Sequence, residues 1–414
     1  MASFVYLNYK NIPAKKSERR FISSLDVISL YPSLQSRDSA EEVKETVLNS
    51  EINFHISDEK ELAIFLRKNL TSQQISSKGL EDLIPSKEKG SKNSKNRDNL
   101  WKFPKESFTK HELKVMLAEA LAVTVEIAMK SNVYIFDQKV RVQRDGGGMG
   151  VTLTGVLAEI KMIKWCKRFS EKLRALDINN DLIERFVDDI TICPTVIPPG
   201  WKYKEDKLVF SECEIDADKE VPDDARTMNI LQTIANSIDP LIKVTYDNPS
   251  RYLDGKIPIL DVRVGINEEN SIEYEFYKKP IANKFVTHKT SAMSMKQKMH
   301  ILTQQCFSRL HNTSKSVTTN TTVNLLNDFM IELKISGYSK NDRKNILEGA
   351  INTHLNLKEK ENMGIRPYYR PKSHVKSVNK KQNSYKNNWY RSKNNNYKTV
   401  MFLEQLPMMN SSRC

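Results

Sequence analysis

Residues 20 to 31, RFISSLDVISLY, carry β-branched and aromatic residues at the density of a buried strand, interrupted by one acid, Asp26. The stretch from 111 to 130, HELKVMLAEALAVTVEIAMK, repeats apolar positions at Leu113, Leu117, Leu121, Val125 and Ala128, which predicts a helix packing one face on a sheet. NVYIFDQKVRVQ alternates weakly, as a strand or hairpin. The glycines of DGGGMG break that pattern, and VTLTGVLAEIKMIKWCKRFSEKL predicts a long helix ending near Arg174. In IERFVDDITI the apolar residues Ile183, Phe186, Val187, Ile190 and Ile192 predict a hairpin with Asp188 and Asp189 at its tight turn. Residues 256 to 280 read as two strands joined by the polar turn NEEN, and residues 293 to 312 and 321 to 357 carry mostly helical signals. The order of strands and helices predicts an α+β fold with a separate helical lobe. From Ser76 to Asn99 the chain has little to bury and is expected to form a mobile insertion.

A chain of 414 residues is long enough for a large core. Its 39% apolar content and mean hydropathy of −0.55 leave some of it solvated. The net charge of +14 attracts polyanions, either nucleic acid or an anionic membrane. No apolar run approaches the roughly 18 residues needed to cross a bilayer, which leaves nucleic acid as the favoured partner. The N-terminus lacks the apolar segment and cleavage site of a secretory signal. Five scattered cysteines, never in C-x-x-C, disfavour a disulfide framework or a zinc ribbon and fit reduced thiols. An intracellular setting, nucleus or cytoplasm, is expected. Residues 366 to 398 hold ten Lys or Arg, six Tyr or Trp and no acid, the composition of a disordered basic tail able to stack on bases.

Two adjacent acids inside an apolar hairpin repel one another, and a bound cation would offset that repulsion. Phosphoryl transfer to a growing nucleic acid uses a pair of divalent cations, and Mg²⁺ takes one or two carboxylates with substrate phosphates filling the rest of its shell. Asp26 on one strand with Asp188 and Asp189 on a neighbouring turn meets that need. Each feature alone has a plainer reading. Asp-Asp is compatible with a solvated turn, Asp26 with a hydrogen-bonded buried carboxylate, and the glycines with any flexible turn. The conjunction, in this order, points to the cation site.

SLDVISLYPSL (24 to 34), QRDGGGMGVTLTGVLAEIKM (143 to 162) and RFVDDI (185 to 190) resemble motifs A, B and C of reverse transcriptases. Further on, IPILDVRV, YEFYKKP, SGYSKNDRKNIL (336 to 347) and NNWY are most similar to retroelement enzymes of the Penelope-like type and their relatives. The resemblance implies a right-hand polymerase palm over residues 1 to 285, an antiparallel sheet backed by helices. It also implies an α-helical thumb-like region at 286 to 357 and a basic tail at 358 to 414. Asp26 and Asp188 are implied as the principal ligands of Mg²⁺ or Mn²⁺, with Asp189 beside them. Tyr31 falls where the family places an aromatic filter against the ribose 2′-hydroxyl, although an aromatic after a strand also suits plain core packing. Gly146, Gly147, Gly148 and Gly150 would let backbone approach the nascent base pair. Lys243 is the candidate pyrophosphate lysine, with Lys256 as rival, and Lys278 and Lys279 the candidate primer contacts; for all four a surface role is the simpler reading. The implied partners are an RNA template, a DNA primer and deoxynucleoside triphosphates. The family carries a fingers region before motif A, so a neighbouring chain or further exons are expected to supply it; Lys15, Lys16, Arg19 and Arg20 are the only basic cluster before Asp26. The implied activity is RNA-directed DNA synthesis for a retrotransposon. An inactive nucleic-acid-binding remnant is the alternative, and a DNA-templated polymerase rests on SLYPS alone.

Overall fold

The computed structural model describes residues 19–51, 56, 58–87, 101–148, 150–212, 215, 220–267, 271–280, 285–314, 316–317 and 319–362. Residues 363–414 of the expected basic tail, with its six aromatic residues, and Lys15 and Lys16 lie outside them, while 358–362 end a helix. The chain divides between Ser250 and Arg251 into two compact units.

The first unit is built on a four-stranded antiparallel sheet in the order β10-β1-β7-β6, with β1 at Ser23–Ile28, β6 at Asn180–Phe186, β7 at Asp189–Pro194 and β10 at Lys243–Asp247. Alternation along β1 sends Leu25 and Val27 to one face and Asp26 and Ile28 to the other. Leu25 pairs with Ile190 and Val27 with Val244, and all four are buried. That face packs on residues of four helices: α1 (Ser36–Asn49), α4 (Lys110–Lys130), α5 (Thr152–Ala175) and α6 (Asp223–Asn236). Met162, Trp165 and Phe169 of α5 form the centre of this core, the two rings stacked 5.1 Å apart. A buried ring of this size contributes about 1.5–3 kcal/mol. The same helix buries Lys161, which pairs with Asp239 at 3.0 Å and Glu42 at 3.7 Å.

The long helix predicted after the glycines is α5, ending one residue from the expected position. The face predicted for α4 is only partly the one buried. Met116, Ala118, Ala120, Ala122, Val125 and Met129 are inside, and Leu121 is exposed. The helix is apolar on more than one side and serves two cores, and its alanines permit closer approach than leucines would. Even Glu119 is buried, paired with Lys44 and Lys78. The second core, formed by α2 (Glu59–Asn69), α3 (Ser72–Ser77) and the start of α4, also takes in Leu80, Leu83 and Ile84. Residues 76–87 are therefore packed structure, not the start of a mobile insertion. Three apolar side chains spaced along GLEDLI are enough to hold them. Residues 88–100 lie outside the described set.

Short hairpins complete the unit: β2 (Ser86–Lys87) with β3 (Trp101–Lys102), β4 (Val133–Phe136) with β5 (Lys139–Val142), and β8 (Trp201–Lys204) with β9 (Lys207–Phe210). NVYIFDQKVRVQ is thus a hairpin. Its turn residues Asp137 and Gln138 have φ of 52° and 56°, as a two-residue turn matched to strand twist requires.

In the second unit β11 (Ile257–Ile259), β12 (Val262–Ile266) and β13 (Ile272–Phe276) form an antiparallel sheet. Where two strands were expected there are three, because IPILDVRV folds back at Leu260, whose φ is 55°. This sheet belongs with the helices α7 (Met295–His311), α8 (Thr319–Ile335) and α9 (Lys340–Asn362), so the boundary expected near 285 falls at 250/251 instead. The Ser314 N–H donates to the Tyr274 carbonyl at 2.7 Å, Lys278 pairs with Glu332 at 2.6 Å, and Arg309 lies over the Phe276 ring. Helix α8 ends on Gly337, at φ 86°, where the Tyr338 N–H reaches the Leu333 carbonyl, the glycine-capped stop that SGYS encodes. Phe329, Leu333, Ile346 and Ala350 fill the helical core. Among the described residues no helix is long and apolar enough to cross a membrane.

Candidate functional site

Strand register brings the sequence-distant acids to one place. Asp26 lies directly opposite Asp189 on β7 and opposite Thr245 on β10. Directly paired residues share a face with Cβ atoms about 4.5–5.5 Å apart. The shared face is the one turned away from the helices, and Asp26 and Thr245 are exposed on it. Asp188 occupies the turn of the β6–β7 hairpin, where Phe186 pairs with Asp189. Its carbonyl accepts the Val27 N–H at 3.2 Å, which ties the turn to β1 one residue past Asp26.

The turn itself is strained. Val187 has φ of 59°, a left-handed conformation that a β-branched side chain avoids. Arg185 compensates: its Nη1 donates to the Val187 carbonyl at 2.9 Å and its Nη2 to Glu159 of α5 at 2.5 Å. The guanidinium is largely buried, and burial pushes the nearby Cys166 thiol up despite that positive charge. Sequence reasoning missed Arg185 and Glu159. The available signal was parity, since Arg185 shares the inward side of β6 with Ile183.

The glycine loop meets the segment after β1. The Gly147 N–H donates to the Tyr31 carbonyl at 2.8 Å. A Cβ on Gly146 would sit 2.9 Å from the Pro32 backbone, and one on Gly147 2.0 Å from the Thr154 methyl. Gly146 also has φ of 78°, so both close approach and conformation demand glycine there. Among the described residues a Cβ on Gly148 would meet the Val151 and Gln143 side chains, and one on Gly150, at φ 88°, would meet nothing within 4 Å. Tyr31 is half-buried against the main core. The structure thus links Tyr31, Gly146 and Gly147 in one loop pair and sets Asp26 opposite Asp189, with the backbone of the Asp188 turn hydrogen-bonded beside them.

The lysines are placed differently. Lys243 begins β10 opposite Ile28, two residues from Thr245, and its ammonium donates to the Asn236 carbonyl in the last turn of α6 at 3.2 Å. Lys256, in the second unit, lies between Glu273 and Glu275 at 3.4 and 3.7 Å. Lys278 is held by Glu332, and Lys279 is exposed. Arg19 pairs with Asp223 at 2.9 Å, and Arg20 bridges to Thr195.

Oxygen donors on adjacent strands are the right chemistry for Mg²⁺ or Mn²⁺. Among the described residues, however, no three His, Cys, Asp or Glu side chains are gathered closely enough to hold a metal ion among themselves. An ion bound here would take at most one or two carboxylates from the chain and the rest of its ligands from elsewhere, such as a phosphate substrate.

No protein-family model matches the sequence. No curated protein matches it either. A solved structure of telomerase from Candida albicans, in complex with a fragment of telomeric RNA, aligns with 88% of this chain and 50% of its own, at 11% identity and a TM-score of 0.32. The chain spans half the length of that telomerase.

Proposed function

We propose that the chain is an RNA-directed DNA polymerase of a retroelement, its first unit a polymerase palm and its second a thumb-like region. One observation carries the reading: Asp26 stands opposite Asp189, beside the Asp188 turn, on the open face of an antiparallel sheet. Its partners would be an RNA template, a DNA primer and deoxynucleoside triphosphates. In the reaction the primer 3′-oxygen forms a bond to the α-phosphorus, the bond to the bridging oxygen breaks, and pyrophosphate leaves. Mg²⁺ or Mn²⁺, held by Asp26 and Asp188 with Asp189 beside them, would supply activation of the 3′-hydroxyl and neutralisation of the triphosphate. Tyr31 would exclude the ribose 2′-hydroxyl by bulk, and Gly146, Gly147, Gly148 and Gly150 would shape the surface under the nascent pair. Lys243, two residues along β10 from the Thr245 that faces Asp26, would serve the leaving group, provided it exchanges its Asn236 contact.

Primer extension on an RNA template tests the reading. Asp188→Asn is expected to lower incorporation at least about a hundredfold, the scale of removing one preorganised electrostatic group, while equal incorporation by both proteins removes the site. A second reading, a nucleic-acid-binding protein without catalysis, is favoured by the absence of a three-ligand cluster among the described residues. It predicts template binding without extension by either protein.

A further inference from the structure

The β4–β5 hairpin sorts its side chains by chemistry. The register pairs Val133 with Val142, Tyr134 with Arg141, Ile135 with Val140 and Phe136 with Lys139. Paired residues share a face and alternate residues lie on opposite faces, so one face is wholly aliphatic: Val133, Ile135, Val140 and Val142. The other holds two aromatic rings and two cations. Every residue of both strands is exposed, with Tyr134 at 48% and Phe136 at 64%. A two-stranded ribbon bare on both sides is marginal in water, so this arrangement suits a surface that is covered by a partner.

We propose that the Tyr134, Phe136, Lys139 and Arg141 face is a contact platform for a single nucleic-acid strand. It rests on the polymerase reading only in taking the strand to be template or primer. Charge and shape select this occupant. The only acid in the hairpin is Asp137, in the turn, and Arg144 adds a further cation two residues beyond β5. The Arg141 guanidinium lies 5.6 Å from the Phe136 ring centre, so a planar cation already sits over a π-face. Exposed rings interleaved with cations match the two needs of a single strand, stacking for the bases and counter-charge for the phosphates. A protein partner would instead be expected on the uncharged aliphatic face. The base of the ribbon is closed by the Gln143 N–H on the Asn132 carbonyl at 2.9 Å, and Gln143 leads directly into the glycine loop bound to Tyr31. The hairpin is thereby joined at its base to that loop.

Binding is best measured in the full chain carrying Asp188→Asn, so that the result does not depend on catalysis. Fluorescence anisotropy with labelled single-stranded oligouridylate and oligodeoxythymidylate, across a salt series, gives affinity and slope. Tyr134→Ala with Phe136→Ala is expected to weaken binding by about tenfold or more with the slope retained. Lys139→Ala with Arg141→Ala is expected to reduce the slope by about 0.7 for each cation removed. Ile135→Thr with Val140→Thr, on the opposite face, is expected to change neither. Tyr134→Phe with Phe136→Tyr, which keeps both rings, is expected to bind as the parent does. Unchanged affinity in the aromatic double variant overturns the proposal, as does an equal loss from the aliphatic pair. If the parent binds neither strand, the polymerase reading falls as well. If it binds, and the chain with Asp188 intact extends a primer, but the aromatic variant is indistinguishable from the parent in binding, only the platform falls.

Discussion

The Arg185 guanidinium holds the Val187 carbonyl at 2.9 Å while its other nitrogen grips Glu159 on α5, so the turn carrying Asp188 is fastened to the helix behind it. Left-handed backbone at a valine costs on the order of 1–3 kcal/mol and persists only where surrounding contacts over-determine it. Arg185→Met removes the fastening. Denaturant midpoints should report a loss of about 1.5–3 kcal/mol, the usual worth of a hydrogen bond to a charged group. Template-directed incorporation should fall further than it does in Glu159→Gln, which leaves the Val187 contact in place. A variant as stable and as active as the parent would show the turn needs no such support.

Gly147 and Thr154 form a second close pair. An alanine at 147 would place its methyl 2.0 Å from the Thr154 methyl, deep in the first turns of α5. Gly147→Ala is expected to destabilise by about 1–3 kcal/mol, as overpacking does. Thr154→Ser deletes the clashing methyl, so the double variant should recover part of the loss, read as a favourable coupling in a double-mutant cycle. Gly146→Ala should gain nothing from the same partner change, because its obstacle is the Pro32 backbone and a φ of 78°. Additive behaviour of Gly147→Ala and Thr154→Ser would refute the contact.

In the second unit, burial first, then Lys358 and His311, hold the His354 imidazole down to about 4 from its ordinary 6.5. An unfolded chain binds that proton more readily than the folded one. The contribution to stability is therefore full above about pH 6.5 and is lost as pH falls toward 4. His354→Phe keeps a ring beside Phe307 and His311 without the titration. Thermal melts through that window should show a shallower acid decline than the parent. Parallel declines would place the proton elsewhere.

Much of this was legible in the residues. The apolar content of RFISSLDVISLY predicted the strand but left the side of Asp26 open, and the apolar residues around Asp188 and Asp189 predicted the hairpin one residue out of place, since its turn is Val187–Asp188 and Asp189 opens β7. The pairing of Asp26 with Asp189 was not legible as a register, since nothing in either strand alone says how far one slides along the other. Helix α4 misled because its apolar residues encircle it, so periodicity could not choose a face that tertiary neighbours chose. GLEDLI was read as solvated because it opens the stretch from 76 to 99, which has little else to bury, yet Leu80, Leu83 and Ile84 found a core built by residues on either side. Arg185 carried no signal beyond its parity, and its partner lies on a different helix.

The alternation that turns Asp26 outward also turns Leu25 and Val27 inward, so one insertion or deletion within β1 would bury the carboxylate and expose the core in the same stroke. In a drifting lineage of such chains, β1 and β7 should accept exchanges of one side chain for another far more readily than changes of length. Gaps and insertions should gather instead in the connecting segments, leaving these two strands as the ruler against which the rest of the chain is counted.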